Sequence, residues 1–307
     1  MLKLKNAFKR VKPIRAAYEK LRIVFYAALY NISPFLLISY HYYKARHKKL
    51  VLDNPVTFEE KLIWLMLYWN HPLKRVCADK YTCRDYVKAL GLEHLLVPLY
   101  GVYQNSRQID FKSLPKRFVL KCTRGSGFNI ICKDKSYLDI EKTRKLLSRW
   151  QKIKFHKIGA EIHYANIKPL IICEAFLGDD SGNLPVDYKM YCFRGKVHCT
   201  MVCSGRYTDN LHFDYFDDNW ERKLPYGRRG SPESKIIPPP PSYGEMIKAA
   251  EILSKPFPFV RVDFYDVNGK AVFGEMTFTP NGCIDTGFTD EAQKILGDLI
   301  VLPEVKI

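Results

Sequence analysis

FVRVDFYDVNGKAVFGEMTFTPN, residues 259–281, is the stretch from which the fold is read. Phe259 to Tyr265 alternates apolar and polar residues, Asn268-Gly269 supplies a tight turn, and Ala271 to Thr279 returns, which predicts a β-hairpin. Side chains alternate along a strand with period two. Arg261 and Asp263 therefore share one face, and Val260, Val262 and Phe264 take the other. The same count puts Phe273, Glu275 and Thr277 on one face of the second strand. One surface of the hairpin then carries a cation and two carboxylates. Carboxylates on neighbouring strands suit Mg²⁺, a hard ion that also holds nucleotide phosphates. An arginine beside them can stabilise charge developing on a transferred phosphoryl group. A surface hairpin closed by a salt bridge fits the same pattern.

Outward from the hairpin, three more pieces carry chemistry. Phe118 to Cys122 (FVLKC) reads as a strand, Arg124-Gly125-Ser126-Gly127 as a glycine-containing turn, and Asn129 to Lys133 as the returning strand. Lys121, beside a loop whose glycines let backbone N–H groups approach oxygens, is a means of holding polyphosphate. Neither a Walker A loop nor G-x-G-x-x-G is present, and G-S-G alone is also an ordinary hairpin turn. Leu170 to Phe176 (LIICEAF) reads as a buried strand running into Leu177-Gly178-Asp179-Asp180. Asp187 to Phe193 (DYKMYCF) alternates again, with Asp187 and Lys189 on one face; Gly195-Lys196 turns into a strand from Val197 to Cys203, and Arg206 follows. Residues 210–229 are aromatic and polar. They read either as a strand and loop offering Tyr and Trp faces to a sugar or as an ordinary exposed loop.

The remaining elements are helical. Thr57-Phe58-Glu59-Glu60 is a capping box opening an amphipathic helix through Trp69, with Phe58, Leu62, Leu65 and Trp69 on its apolar face and Pro72 ending it. Asp79-Lys80 opens a further helix that ends at Gly91, and Leu95 to Pro98 is extended. Ile140 to Lys154 is a charged helix, Pro238 to Pro241 a stiff linker, Ser242-x-x-Glu245 the cap of a helix through Lys255, and Asp290 to Leu299 the closing helix.

The charge is unevenly spread. The chain of 307 residues carries a formal +17, but residues 1–50 hold twelve Lys and Arg against one acid, Glu19. A basic arm on an ordinary body points to an anionic surface, membrane or polyanion. Within that arm Ile23 to Tyr40 has no charged residue, yet Asn31, Ser33 and Pro34 interrupt it. An interfacial amphipathic segment, helices packed on the body, and a short membrane span all fit it. Basic flanks suit an anionic cytoplasmic leaflet. Nine cysteines without a C-x-x-C pair read as buried free thiols in a reducing cytoplasm, Cys122, Cys132, Cys173 and Cys192 lying in apolar runs.

R-x-D, a turn, then G-E-x-T-x-x-P resembles the metal-binding end of the ATP-grasp ligases, with Arg261, Asp263 and Glu275 matching and Thr277 standing where many members have a metal-binding Asn. The strand lysine with its Gly loop, the Glu174 strand and the D-x-K strand follow the order of that superfamily over roughly residues 75–300. T-F-E-E-K-L-x-W-L, K-C-x-x-G-S-G-x-N-I-I-C-K-D and F-P-F-V-R-V-D-x-Y with F-G-E-M-T-F look like its teichuronopeptide-biosynthesis branch.

The resemblance implies an α+β fold of two lobes whose antiparallel sheets clasp ATP. The expected division is a 1–50 arm, a 51–74 helical preface, and an ATP-grasp domain over 75–302 split near 175. It implies an ATP- and Mg²⁺-dependent carboxylate–amine ligase working through an acyl phosphate. Asp263, Glu275 and Thr277 would hold metal. Lys121, Gly125, Ser126, Gly127, Glu174, Phe176, Leu177 and Asp180 would hold ATP, and Lys189, Arg206 and Arg261 would serve catalysis. The branch implies addition of an amino acid or peptide to a uronic-acid-containing polysaccharide or lipid-linked saccharide of the bacterial surface. The work would be done in the cytoplasm or at the inner face of its membrane. A glycosyltransferase using a nucleotide-sugar is the rival reading, although Asp179-Asp180 and Asp217-Asp218 are poor versions of its D-x-D motif. A nucleic-acid partner is not expected, because the charge sits in one arm rather than among exposed aromatics throughout.

Overall fold

In the computed structural model, which describes residues 12–205, 211–230, 232 and 237–304, helices come first. They are α1 (Lys12–Ile32), α2 (Pro34–Arg46), α3 (Phe58–Tyr68), α4 (Pro72–Ala78) and α5 (Cys83–Ala89). Strands β1 (Leu99–Tyr103), β2 (Phe118–Cys122) and β3 (Asn129–Cys132) follow, then α6 (Ile140–Lys152), the single turn α7 (His156–Gly159) and β4 (Ile171–Ala175). β5 (Asp187–Phe193), β6 (Lys196–Ser204), β7 (His212–Asp217) and β8 (Lys223–Leu224) lead to α8 (Tyr243–Ser254), the hairpin β9 (Val260–Val267) and β10 (Lys270–Thr277), and α9 (Asp290–Asp298).

The strands form two antiparallel sheets, one ordered β1-β4-β2-β3 and one ordered β10-β9-β5-β6-β7-β8. With the helices this is an α+β architecture, as expected. The larger sheet has two faces of different character. Met190, Cys192, Val260, Val262 and Phe264 pack into one apolar cluster with α8. On the other face Tyr191, Phe193 and Phe259 pack against Phe58 of α3, Phe58 and Phe259 edge to face at 5.1 Å. Further along that same face the period of two brings up Asp187, Lys189, Arg261 and Asp263 instead of aromatics. One face is thus apolar where α3 covers it and charged where α3 ends.

The hairpin forms as predicted, with Asn268 at φ 55° and Gly269 at φ 78° making the turn. One detail differs. Phe273 pairs with Phe264 and packs into the α8 cluster, whereas Glu275 pairs with Asp263, because the register shifts between them. A β-bulge at Gly274 inserts one residue and turns Phe273 to the opposite face from Glu275 and Thr277. A Cβ at Gly274 would stand 2.9 Å from the Asp263 carbonyl oxygen, so the close approach of the strands requires glycine there.

The capping box of α3 is present in full: Thr57 accepts from the Glu60 N–H and Glu60 from the Thr57 N–H. Pro72 opens α4 rather than merely closing α3. Ser242 stands at the N-cap of α8, but its hydroxyl donates to Asp266 at 2.6 Å instead of capping. The helix expected from Asp79 begins at Cys83, since Asp79 ends α4 and its carboxylate accepts from the Tyr81 N–H. All nine cysteines are buried and free. The uncharged stretch 23–40 is two helices broken at Ser33, whose side chain accepts from the Phe35 N–H. Leu37, Ile38 and Tyr42 of α2 are buried in the core shared with α3.

Candidate active site

Strand pairing builds the centre of the site. Lys189 of β5 lies opposite Asp263 of β9, and Asp263 opposite Glu275 of β10. Three neighbouring strands therefore place cation, carboxylate and carboxylate in one row. The Lys189 ammonium donates to Asp263 at 2.5 Å, and the Arg261 guanidinium grips the same carboxylate with two bonds of 2.7 Å. Arg261 also donates to the Thr277 hydroxyl at 3.2 Å, and that hydroxyl donates to Glu275 at 3.1 Å. Asp263, Lys189 and Arg261 are buried, while Glu275 is half-buried and opens to a cavity.

The charges hold one another ionised. Burial opposes the Asp263 carboxylate, but Arg261 and then Lys189 more than offset it and hold its pKa below the ordinary range. Burial likewise opposes the Arg261 charge, and Asp263 reverses that, raising its pKa. Glu275 is also depressed against its burial, chiefly by Lys80. In the sequence Lys80 opens a helix with Asp79, in an order that resembles the lead-in to the nucleotide domain of ATP-grasp enzymes, and carries no site role. In the structure it donates to the Gly125 carbonyl at 2.6 Å and lines a pocket with Glu275. It links the glycine turn to the carboxylate row. The signal was in the sequence, as a lysine beside an acid ahead of an extended segment, but nothing local set it apart from an ordinary helix start.

A slot opens between the two sheets. Lys121, Val119, Ile131 and Glu174 line one wall; Asp187 and Tyr265 of the larger sheet line the other. Leu177, Leu184 and Pro185, in the segment joining the sheets, close its end. Lys121 pairs with Glu174 at 2.7 Å, and Arg84 reaches the other oxygen of that carboxylate at 3.2 Å. Asp187 lines the slot and Lys189, two residues along β5 on the same face, lines a larger cavity of about 670 Å³. Ser126 of the glycine turn, Arg261 and Glu275 also border that cavity, whose far wall carries Tyr215, Arg228, Arg229 and Asp285. Gly125 and Gly127 both have positive φ, 90° and 74°, which the turn requires.

The structure brings together most of the residues singled out from sequence. Lys121, Glu174 and Leu177 meet at the slot, and Ser126, Lys189, Arg261 and Glu275 at the cavity, with Asp263 and Thr277 bonded to them. Phe176 lies under the Arg117 guanidinium at 5.4 Å. Asp180 is fully exposed, pairs with Arg117 at 3.2 Å, and does not line the slot. Arg206 lies outside the described residues.

The TupA-like ATPgrasp family model matches residues 60–301, which contain every one of these groups. The chain belongs to that family. This ATP-grasp protein is also similar in structure to a D-alanine–D-alanine ligase from Bacillus anthracis, at 16% identity over 73% of this chain and 66% of that one, TM-score 0.46. An L-amino acid ligase from Bacillus licheniformis matches at 11% identity over 68% and 44% of the two chains, TM-score 0.44. The D-cycloserine synthetase DcsG matches at 14% identity over 74% and 70%, TM-score 0.41. The chain thus spans about two thirds of the length of the first and less than half of the second. No curated protein matches it.

ATP and Mg²⁺ are the cofactors of the ATP-grasp family, and the residues present fit both. Among the described residues no group of three or more His, Cys, Asp and Glu could cage a metal ion. Mg²⁺ keeps waters and takes one or two carboxylates plus phosphate oxygens; Glu275 faces the cavity with its carboxylate, while both oxygens of the neighbouring Asp263 are held by Arg261 and Lys189. The slot suits a nucleotide, having apolar walls for a flat ring and Lys121 for phosphate.

Proposed function

We propose that this ATP-grasp protein joins a carboxylate to an amine at the expense of ATP, adding an amino acid or peptide to a uronic-acid-containing saccharide of the bacterial cell envelope. The observation that carries the reading is the row Lys189–Asp263–Glu275, gripped by Arg261, beside a slot between the two sheets and a cavity of about 670 Å³. The two sheets act as lobes, about 75–175 and 176–302, that clasp the nucleotide.

Lys121 and the Gly125–Gly127 turn hold phosphates, with Lys80 steadying the turn; Glu174 and Leu177, with Phe176 beside them, belong to the nucleotide side, and Asp180 stands outside the slot. Asp263 and Glu275, assisted by Thr277, would hold Mg²⁺, which supplies charge neutralisation on phosphate oxygens. The substrate carboxylate takes the γ-phosphoryl group: a carboxylate O–P bond forms as the P–O bond to ADP breaks. The amine then attacks the acyl carbon, a C–N bond forms, and phosphate leaves with its oxygen. Lys189 and Arg261 stabilise the oxygens that gain charge in both steps, and Arg206 is the proposed partner of an acyl phosphate or acceptor carboxylate. Positioning and charge, not a covalent enzyme intermediate, carry such a reaction. Lys189 and Arg261 are held in place by Asp263 before substrate arrives, so little reorganisation is needed.

The aromatic and basic far wall of the cavity suits a sugar that bears a carboxylate. The protein would act in the cytoplasm, with its basic arm toward the inner face of the membrane that carries a lipid-linked acceptor. Thermal-shift titration with Mg-ATP and with UDP-sugars, on the native chain and on Glu275→Gln, tests the reaction class. A midpoint raised by Mg-ATP and weakened in the variant supports the ligase, and ADP release with uronate oligosaccharides plus amino acids then identifies the substrates. A shift with UDP-sugars alone replaces it by the glycosyltransferase.

A further inference from the structure

Helix α1 carries a face that breaks the burial rule. Leu21 is 70% exposed, Val24 65%, Phe25 45% and Ile32 72%. At 3.6 residues per turn these positions fall within about 100° of the circumference, so they form one apolar stripe. By the same count Lys20 and Arg22 flank it on either side. Exposed Lys44, Lys48 and Lys49 follow at the end of α2.

The reverse side of this helical pair is fastened to the body. Tyr26 is buried, and its ring meets His41 edge-on at 4.7 Å. The His41 Nε2 lies 2.8 Å from the Ile158 carbonyl oxygen, and the Tyr30 ring meets His156 edge-on at 5.3 Å. Arg46 grips Glu59 with both donors of a fork and reaches the Asp285 carbonyl oxygen at 3.0 Å. The stripe is thus part of a rigid surface, not a loose tail.

We propose that α1 and α2 form a docking face for a bilayer rich in anionic lipid, lying in the headgroup region with Leu21, Val24, Phe25 and Ile32 toward the acyl chains. Apolar residues flanked by lysine and arginine are what an interfacial helix needs. No helix among the described residues is long and apolar enough to cross a membrane, so the pair lies on the bilayer. Charge decides between this occupant and a second copy of the chain. The arm holds twelve cations against one acid, so two arms repel while an anionic leaflet attracts. The inference deepens the membrane side of the proposed function and rests on it only for its purpose, which is to hold the catalytic cavity beside a membrane-borne acceptor.

Removal of the arm is the wrong test, because Leu37, Ile38 and Tyr42 belong to the core. The test is co-sedimentation of the full chain with phosphatidylglycerol/phosphatidylcholine vesicles and with phosphatidylcholine alone, against the triple variant Leu21→Gln, Val24→Gln, Ile32→Gln. The expected result is binding to the anionic vesicles only, weakened at least about tenfold in the variant, with the same Mg-ATP thermal shift in both proteins. A native chain that stays in solution, a variant that binds as the native does, or equal binding to both vesicles overturns the proposal. So does a native dimer that the variant dissociates without lipid. Vesicle binding with no Mg-ATP shift counts for the docking face and against the ligase reading.

Discussion

The charged end of the β5–β9–β10 face and the outer stripe of α1 invert the burial rule in opposite directions. The first hides an arginine, a lysine and an aspartate from water; the second leaves leucine, valine and isoleucine in it. Neither arrangement serves stability. Burying charges costs desolvation that pairing only offsets, and an exposed apolar stripe contributes nothing to the core. Between them, at Phe58, Phe193 and Phe259, the chain obeys the rule. Departures of this kind are the informative ones.

Glu275→Gln is expected to lower ATP-dependent ligation on the order of 100-fold or more while leaving the fold intact, measured as ADP release. An unchanged rate would mean that the row serves structure alone. Asp263→Asn leaves Lys189 and Arg261 buried without their counter-charge. It should cost roughly 3–5 kcal/mol in urea unfolding, the cost of breaking a buried ion pair.

Glu161 is the contrasting case, a buried acid bonded to a hydroxyl rather than to a cation. It accepts from the Thr279 hydroxyl at 2.5 Å, and burial pushes its pKa up to about 7 from 4.5. The native state holds a proton that the unfolded chain releases between those values. The stability from this proton is complete at low pH and disappears as pH rises through 7. Glu161→Gln should therefore gain on the native chain by roughly 3 kcal/mol between pH 4.5 and 8. A difference independent of pH would show that Glu161 is ionised throughout. Gly274→Ala meets the Asp263 carbonyl and should cost about 1–3 kcal/mol, with the register of Glu275 disturbed, read as a weaker Mg-ATP shift. Leu21→Gln, at the opposite extreme, should change stability by less than about 0.5 kcal/mol. A larger loss would make the stripe a core contact.

Much of this was legible in the chain. The alternation of residues 259–265, the turn at Asn268-Gly269 and the run DYKMYCF each carry their own periodicity, and the strand faces follow from it. The face of Phe273 was not legible, because one inserted residue at Gly274 reverses the count without any change in composition. Lys80 was missed for a related reason. Its partners, Gly125 and Glu275, lie 45 and 195 positions away, and only folding brings them together.

By itself the sequence determined the two kinds of element, the hairpin with its arginine and carboxylates, the lysine before the glycine turn, and the excess of charge in the first fifty residues. These are local properties of spacing and residue type. The tertiary structure alone decided which strands lie side by side, and hence that Lys189, Asp263 and Glu275 form one row. It also decided which apolar residues of the arm are taken into the core and which stay in water. Both depend on contacts between distant segments, and periodicity states which residues share a face but not what that face meets.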